Sequence, residues 1–333
     1  MREQRQSAAA STGVAAAGPA PTTRKRHWCA TGSASALAAL APLVEAHASL
    51  GPVGVVAAGA ALPDDAGTVL RVGGEAPRAV HTPAADGGRV TVGWLPEADT
   101  DALARFAVGA ARVVERAASA CAPGPIALLA QWDDRALALA DELEARLGPA
   151  ALRWTAERVA RRDLVDGLGC GVAAALYVGH ALSWGWVGYG GVTAIDLASG
   201  VLEPLGCVLS IACDTALATA GRESFAAALP LAGACAATLG ATGKTLHESN
   251  RTLALAACAA LPSAGSLADL LSAVPDGALE GYVVCGDPGA PIASAADARH
   301  RAASLYAPAP AAPLSLAPGW PGAPSRVDRA CPR

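Results

Sequence analysis

Short runs of uninterrupted apolar residues alternate with amphipathic stretches along this chain. The runs "GPVGVVAAGA" (51–60), "RVTVGWLP" (89–96), "PIALLAQW" (125–132), "GVAAALYVGH" (171–180), "GCVLSIAC" (206–213), "ACAATLGAT" (234–242) and "GYVVCGDP" (281–288) are apolar almost throughout. Strands read this way when both of their faces are buried, as in a parallel sheet beneath helices. "ALRWTAERV" (151–159) is a further, more polar strand. Between the strands, "DTDALARFAVGAARVVERA" (99–117) spaces its apolar side chains for one helix face and offers Asp99 or Thr100 as its cap. "DDRALALADELEARLG" (133–148) opens acidic and stops at Gly148, and helices are expected at "RRDLVDGLG", "RESFAAALPLAG", about 246–260 and about 266–273. The alternation predicts the α/β class, with a mostly parallel sheet and helices on both faces.

The pattern fades at both ends. Residues 1–33, rich in Ala, Ser, Thr, Gly and Pro, are expected to be a disordered extension, and residues 306–333 a Pro/Ala-rich disordered tail. The body divides into an N-terminal α/β subdomain, 34–120, and a larger subdomain, 121–305. "RKRHWCATGSASALAALAPLVEAHA" imitates a signal peptide but begins at Arg24 and carries Glu45 inside its apolar run, so a cytoplasmic location is the expectation. No apolar stretch reaches the roughly 18 residues of a membrane helix, and no membrane partner is expected.

Composition narrows the function classes. A hydrophobic content of 53% supports a large core. With 16% charged residues, a net charge of −4 and basic residues scattered apart from Arg24-Lys25-Arg26, no nucleic-acid partner is expected. Nine cysteines form no CxxC pair and no zinc-type cluster with histidine, so reduced thiols, no metal and no cofactor are expected.

Two of the apolar strands end in chemically capable residues, Gly179-His180 and Ala212-Cys213. In parallel sheets reactive groups gather beyond the carboxyl ends of the strands. The separation of 33 positions from His180 to Cys213 suffices for a loop, a short element and a neighbouring parallel strand, so the two side chains can meet. An imidazole beside a thiol can generate the thiolate that attacks a carbonyl carbon, then protonate the leaving amine. Backbone N–H groups at the strand ends, those of Ala181 and Cys213, are placed to receive the oxyanion. Taken singly, each residue has a plainer alternative: a packing thiol and a structural histidine with a satisfied ring. Trp184 and Trp186 either roof the cleft or simply pack. "GATGKT" (240–245) has two residues between its glycines where a phosphate loop needs four.

The blocks "apolar strand, Tyr-x-Gly-His" and "apolar strand, Ala-Cys" resemble those of the caspase-fold cysteine peptidases, specifically the gingipain-like group, peptidase family C25. The likeness extends in order through "VTVGWLPEADTDALARFAVGAARVVE", "DLVDGLGCGVAAALYVGHALSWGW", "SFAAALPLAGACAATLGATG" and "YVVCGDP", covering about 90–292. It implies a caspase-like three-layer sandwich with 121–305 as the catalytic subdomain, and a cysteine endopeptidase acting through a thioester acyl-enzyme on a peptide or protein substrate. His180 would be the general base and acid, Cys213 the nucleophile, and the Ala181 and Cys213 N–H groups the oxyanion hole. Lys244 and His247, after the strand that walls the family's cleft, would line it here.

The chain departs from the family pattern in three places. Ala181 stands where glycine is usual, and Trp94 replaces the arginine of the family's "GRLP". Gln131 falls where a carboxylate orients the histidine, leaving Asp133 or Asp134 as substitutes. Asp133 also matches the family's acid for a basic substrate side chain, although both aspartates equally suit a helix cap. The resemblance leaves two alternatives open, a CHAT-type protease regulated by a protein partner and a non-catalytic caspase-fold scaffold.

Overall fold

A computed structural model describes residues 27–84, 87–119, 124–219 and 222–305. The expected tail, Cys121, Cys331 and residues 1–26 of the expected extension lie outside these. In chain order the first half comprises β1 His27–Gly32, α1 Ala34–Ala39, α2 Ala41–Ala48, β2 Val53–Ala57, β3 Ala66–Val72, β4 His81–Pro83, β5 Arg89–Leu95 and α3 Thr100–Ser119. The second half begins with β6 Ile126–Ala130, α4 Asp134–Leu147, β7 Ala151–Thr155, α5 Arg161–Leu168 and β8 Ala174–Val178. A small hairpin region follows, β9 Ala181–Leu182, β10 Gly185–Trp186 and β11 Val192–Thr193. After it come α6 Ala194–Ser199, β12 Leu205–Ile211, α7 Phe225–Leu231, β13 Cys235–Ala241, α8 His247–Ala260, α9 Leu267–Ser272, β14 Tyr282–Gly286 and α10 Ala298–Leu305.

The strands form one sheet in the order β2-β1-β3-β5-β14-β13-β12-β8-β6-β7, with β4 beside β5. Apart from the short antiparallel β4, pairing is parallel along each half, and β13 against β14 is the antiparallel seam between them. Strands β6, β8, β12 and β13 are buried at every position, which explains their unbroken apolar character. One face is covered by α1 to α4, α8 and α9, and the other, over the second half, by α5, α6 and α7. This is the expected three-layer α/β sandwich. Over β1, β3 and β5 the second face carries a smaller cluster, Cys29, Ala66, Val69, Val90 and Val92, with no helical residue in it.

The sequence signals for helix ends act as expected. Asp99 Oδ1 accepts from the Ala102 N–H at 2.6 Å, Asp133 Oδ1 from Arg135 and Ala136, and Gly148 closes α4 with φ +54. One expected boundary fails. His27–Gly32, assigned by composition to the disordered extension, pairs on both sides as β1, so the fold begins at least seven residues before position 34. The segment that imitates a signal peptide supplies β1, α1 and α2, and Leu40 and Leu43 sit in the core. The closing strand β14 also crosses the expected subdomain boundary, because it runs parallel to β5 of the first half.

A buried polar knot ties the chain start to this closing strand. The Asp287 carboxylate is fully buried and accepts from Trp28 Nε1 at 2.8 Å and the Gly289 N–H at 2.9 Å, with His47 Nε2 at 2.8 Å. Trp28 and His47 stack with ring centroids 4.3 Å apart. Removing a buried acceptor leaves its donors unmet, a penalty of about 1–3 kcal/mol each. Asp287→Ala is therefore expected to destabilise the protein by about 3 kcal/mol, read as a lower denaturant midpoint.

Candidate active site

The carboxyl ends of β6, β8, β12 and β13 deliver four loops to one end of the second half-sheet. A cleft of about 170 Å³ between them is lined by His180, Cys213, Asp133, Thr245 and His247, with Arg135 and Asn250 beside these. The two strand-end residues singled out from the sequence thus both line one cleft. Larger cavities lie elsewhere, two of them against strands of the first half and one beside Gln131 and Tyr189.

His180 is held by its backbone. Its N–H donates to Gln131 Oε1 at 2.6 Å, and its carbonyl accepts from the Tyr177 hydroxyl at 2.8 Å and the Val187 N–H at 3.0 Å. Burial holds the Tyr177 hydroxyl well above the usual tyrosine range, so it keeps its proton as donor. Gly179 makes this close approach possible. At φ +156, a Cβ there would lie 2.6 Å from Gln131 Cβ and 2.8 Å from the Tyr177 hydroxyl. The glycine before the histidine is required by sterics.

Cys213 sits one turn beyond β12 and is half-buried. Its sulfur accepts from the Thr245 N–H at 3.3 Å and lies 3.5 Å from Thr245 Oγ1. The following residue, Asp214, takes a left-handed backbone, φ 62, and donates its N–H to the Gly243 carbonyl. Aspartate tolerates this conformation better than most residues, and the turn it makes leaves the Cys213 N–H without an acceptor among the described residues. In the β9-β10 hairpin, the bond from Val187 N–H to His180 O makes Ala181 opposite Trp186 a non-hydrogen-bonded pair. The Ala181 N–H therefore stays outside the ladder. Ala181 has no positive φ, so alanine fits where glycine is usual.

Several expected residues fall elsewhere. Trp186 does not line the cleft; it is fully buried, stacks on Tyr177 at 4.6 Å, meets Phe225 edge-on at 5.2 Å and donates to Ser210 Oγ at 2.8 Å. This column fastens the His180 loop to the strand that carries Cys213. Trp184 is partly exposed, with its ring near Gly191, and neither it nor Lys244 lines the cleft, whereas His247 does. Asp134 is exposed on the first turn of α4 and does not line it either. Asp133 both caps α4 and lines the cleft, yet no described carboxylate is bonded to the His180 ring. Gln131, at the place of the family's orienting acid, holds the histidine's backbone instead. Thr245 and Asn250 escape a reading of the sequence, since a threonine and an asparagine in a loop and on a helix look solvated until their neighbours are known. Trp94, in place of the family's arginine, donates to the Gly73 carbonyl at 3.2 Å and packs with Val283 and Cys285.

Gly179→Ala is expected to lower stability by about 1–3 kcal/mol and shift the His180 ring resonances in NMR spectra. Gly243→Ala, where an added Cβ meets nothing within 4 Å, is expected to do neither.

No protein-family profile and no curated protein sequence matches this chain. Solved structures do. The Arg-specific cysteine proteinase gingipain R superposes with a TM-score of 0.64 at 13% identity, over 83% of this chain and 80% of that one. A structure described as a protease gives 0.64 at 12% identity over 80% and 78%. The complex of Porphyromonas gingivalis RgpB pro- and mature domains gives 0.61 at 13% identity over 79% of each chain. The chain has the fold of these cysteine proteinases, a caspase-like α/β sandwich.

Proposed function

We propose that the protein is a cysteine endopeptidase working through a Cys213-His180 dyad. The observation that carries this reading is that both residues line one cleft at the carboxyl ends of adjacent strands, in a cysteine-proteinase fold. His180 takes the proton from the Cys213 sulfur, and the thiolate attacks the carbonyl carbon of a peptide bond. The oxyanion receives the N–H groups of Ala181 and Cys213. As the tetrahedral intermediate collapses, the C–N bond breaks and His180 passes its proton to the departing amine, leaving a thioester. Water, deprotonated by His180, then hydrolyses the thioester and frees the thiol. The Thr245 N–H steadies the sulfur while it is anionic.

Asp133 supports a preference for a basic residue at the cleavage site. Its Oδ1 is occupied by the helix cap, and Oδ2 makes no described hydrogen bond, so it can receive a guanidinium or ammonium. Arg135 on the same cleft opposes that cation and keeps the preference modest. The substrate is a peptide or protein, and a regulatory protein partner is the corresponding proposal for control of the enzyme.

Cys213→Ala and His180→Ala are expected to abolish cleavage of a fluorogenic peptide library while the circular dichroism spectrum stays unchanged; undiminished hydrolysis in Cys213→Ala would refute the mechanism. Iodoacetamide at neutral pH should alkylate Cys213 first. Burial pushes Cys207, Cys235 and Cys285 up to about 12 and Cys258 to about 11, so these remain thiols. A protein with no reactive Cys213 is a scaffold. Arg and Lys substrates should exceed Leu ones by about tenfold, and Asp133→Asn, which still caps α4, should remove that difference.

A further inference from the structure

The sheet repeats one topology. From its outer edge inward the first half runs β2-β1-β3-β5-β14 and the second β7-β6-β8-β12-β13. In each, the first strand has the second on its outer side and the third on its inner side, so the order reverses there. Crevices at such reversals are where parallel sheets hold ligands. In the second half that crevice belongs to the cleft of His180 and Cys213. The antiparallel seam turns the first half around, so its equivalent crevice opens at the opposite end of the sheet.

The equivalent positions lack the dyad. Val72, Gly73 and Gly74 close β3 as Val178, Gly179 and His180 close β8, and Glu97 follows β5 where Cys213 follows β12. The crevice persists nonetheless, as a cavity of about 550 Å³ whose lining includes Thr31, Arg71, Gly73, Gly74, Arg78 and Thr82. That volume is within the range of small-molecule sites.

The lining of this cavity is basic. Arg71 Nε is buried with no hydrogen-bond partner, and the guanidinium's bond among the described residues is from Nη2 to the Glu75 carbonyl. Arg78 is exposed, and neither arginine has a described carboxylate within ion-pair distance. Glu75 is the single acidic residue on the lining, so the cavity carries net positive charge. Gly73 and Gly74, at φ +84 and +67, turn the loop there without side chains and leave room for a ligand beside the backbone. Two guanidinium forks on one cavity match a divalent oxyanion better than a single carboxylate.

We propose that this crevice is a second, non-catalytic site that binds a small organic phosphate of about mononucleotide size. The site stands independently of the peptidase reading. It is tested by calorimetric titration of the full chain with inorganic phosphate, pyrophosphate and ADP. Saturable binding of pyrophosphate and ADP, with phosphate competing, is the expected result. Arg71→Gln should abolish binding; because Arg71 lies within β3, the decisive variant is Arg78→Gln, on an exposed loop, expected to weaken affinity at least about tenfold with an unchanged melting temperature. Cys213→Ala should bind as the wild type does. No saturable binding of any of the three probes, or equal affinity in Arg78→Gln, would overturn the proposal.

Discussion

The pairing of β13 with β14 is the constraint on which the rest of the structure depends. It joins two parallel half-sheets edge to edge and in opposite directions, so each half covers an edge that would otherwise expose unpaired N–H and C=O groups. The seam tolerates little bulk. A Cβ at Gly286, φ +94, would come within 2.5 Å of the Ala236 carbonyl, and on the other side of β14 one at Gly93 of β5 would strike the Gly286 carbonyl. Directly after the seam, Asp287 gathers Trp28 and His47 from the start of the fold. A chain whose first described strand and last strand are this closely tied has two halves that stand or fall together.

Given that frame, the candidate site needs few special residues. Parallel strands with buried faces must end at the same side of their half-sheet, and the loops that follow them must converge. What the particular sequence adds is precision in the backbone. Gln131, Tyr177 and Val187 fix three backbone bonds of His180, while the turn at Asp214 and the Thr245 N–H fix the environment of Cys213. Among the described residues these bonds hold the backbone of His180, and none is made to its imidazole. The aromatic column of Tyr177, Trp186 and Phe225 then makes the two loops parts of one packed body.

Much of this was legible in the sequence, for physical reasons that can be named. Fully buried strands such as β6, β8, β12 and β13 cannot avoid an unbroken apolar pattern, and Asp133 and Gly148 mark the ends of α4. His180 and Cys213 stood out because polar residues at the ends of such strands are conspicuous. β1 and β3 were missed because Trp28, Thr31, Thr68 and Arg71 interrupt their apolar runs, and β1 follows a low-complexity stretch. The sequence leaves Trp186 open between roofing the cleft and packing, because a tryptophan in a glycine-rich loop gives no hint that Ser210 waits to receive its N–H. Gln131 presented the same difficulty: its amide serves a backbone N–H 49 residues away, and no local pattern records such a bond.

The register of β8 has a consequence of its own. Side chains along a strand alternate between faces, so a slip of one residue against β6 and β12 would send Tyr177 to the opposite layer. Such a slipped sheet would still satisfy nearly all its ladder bonds and bury a similar apolar area, since its neighbours are Ala, Leu and Val. It would lack the hydroxyl beneath His180 and the ring beneath Trp186. Global spectroscopic probes would score that species as folded, so the Tyr177 hydroxyl, donating to the His180 carbonyl and accepting from the Gly188 N–H, serves as a local proofreading mark of correct assembly.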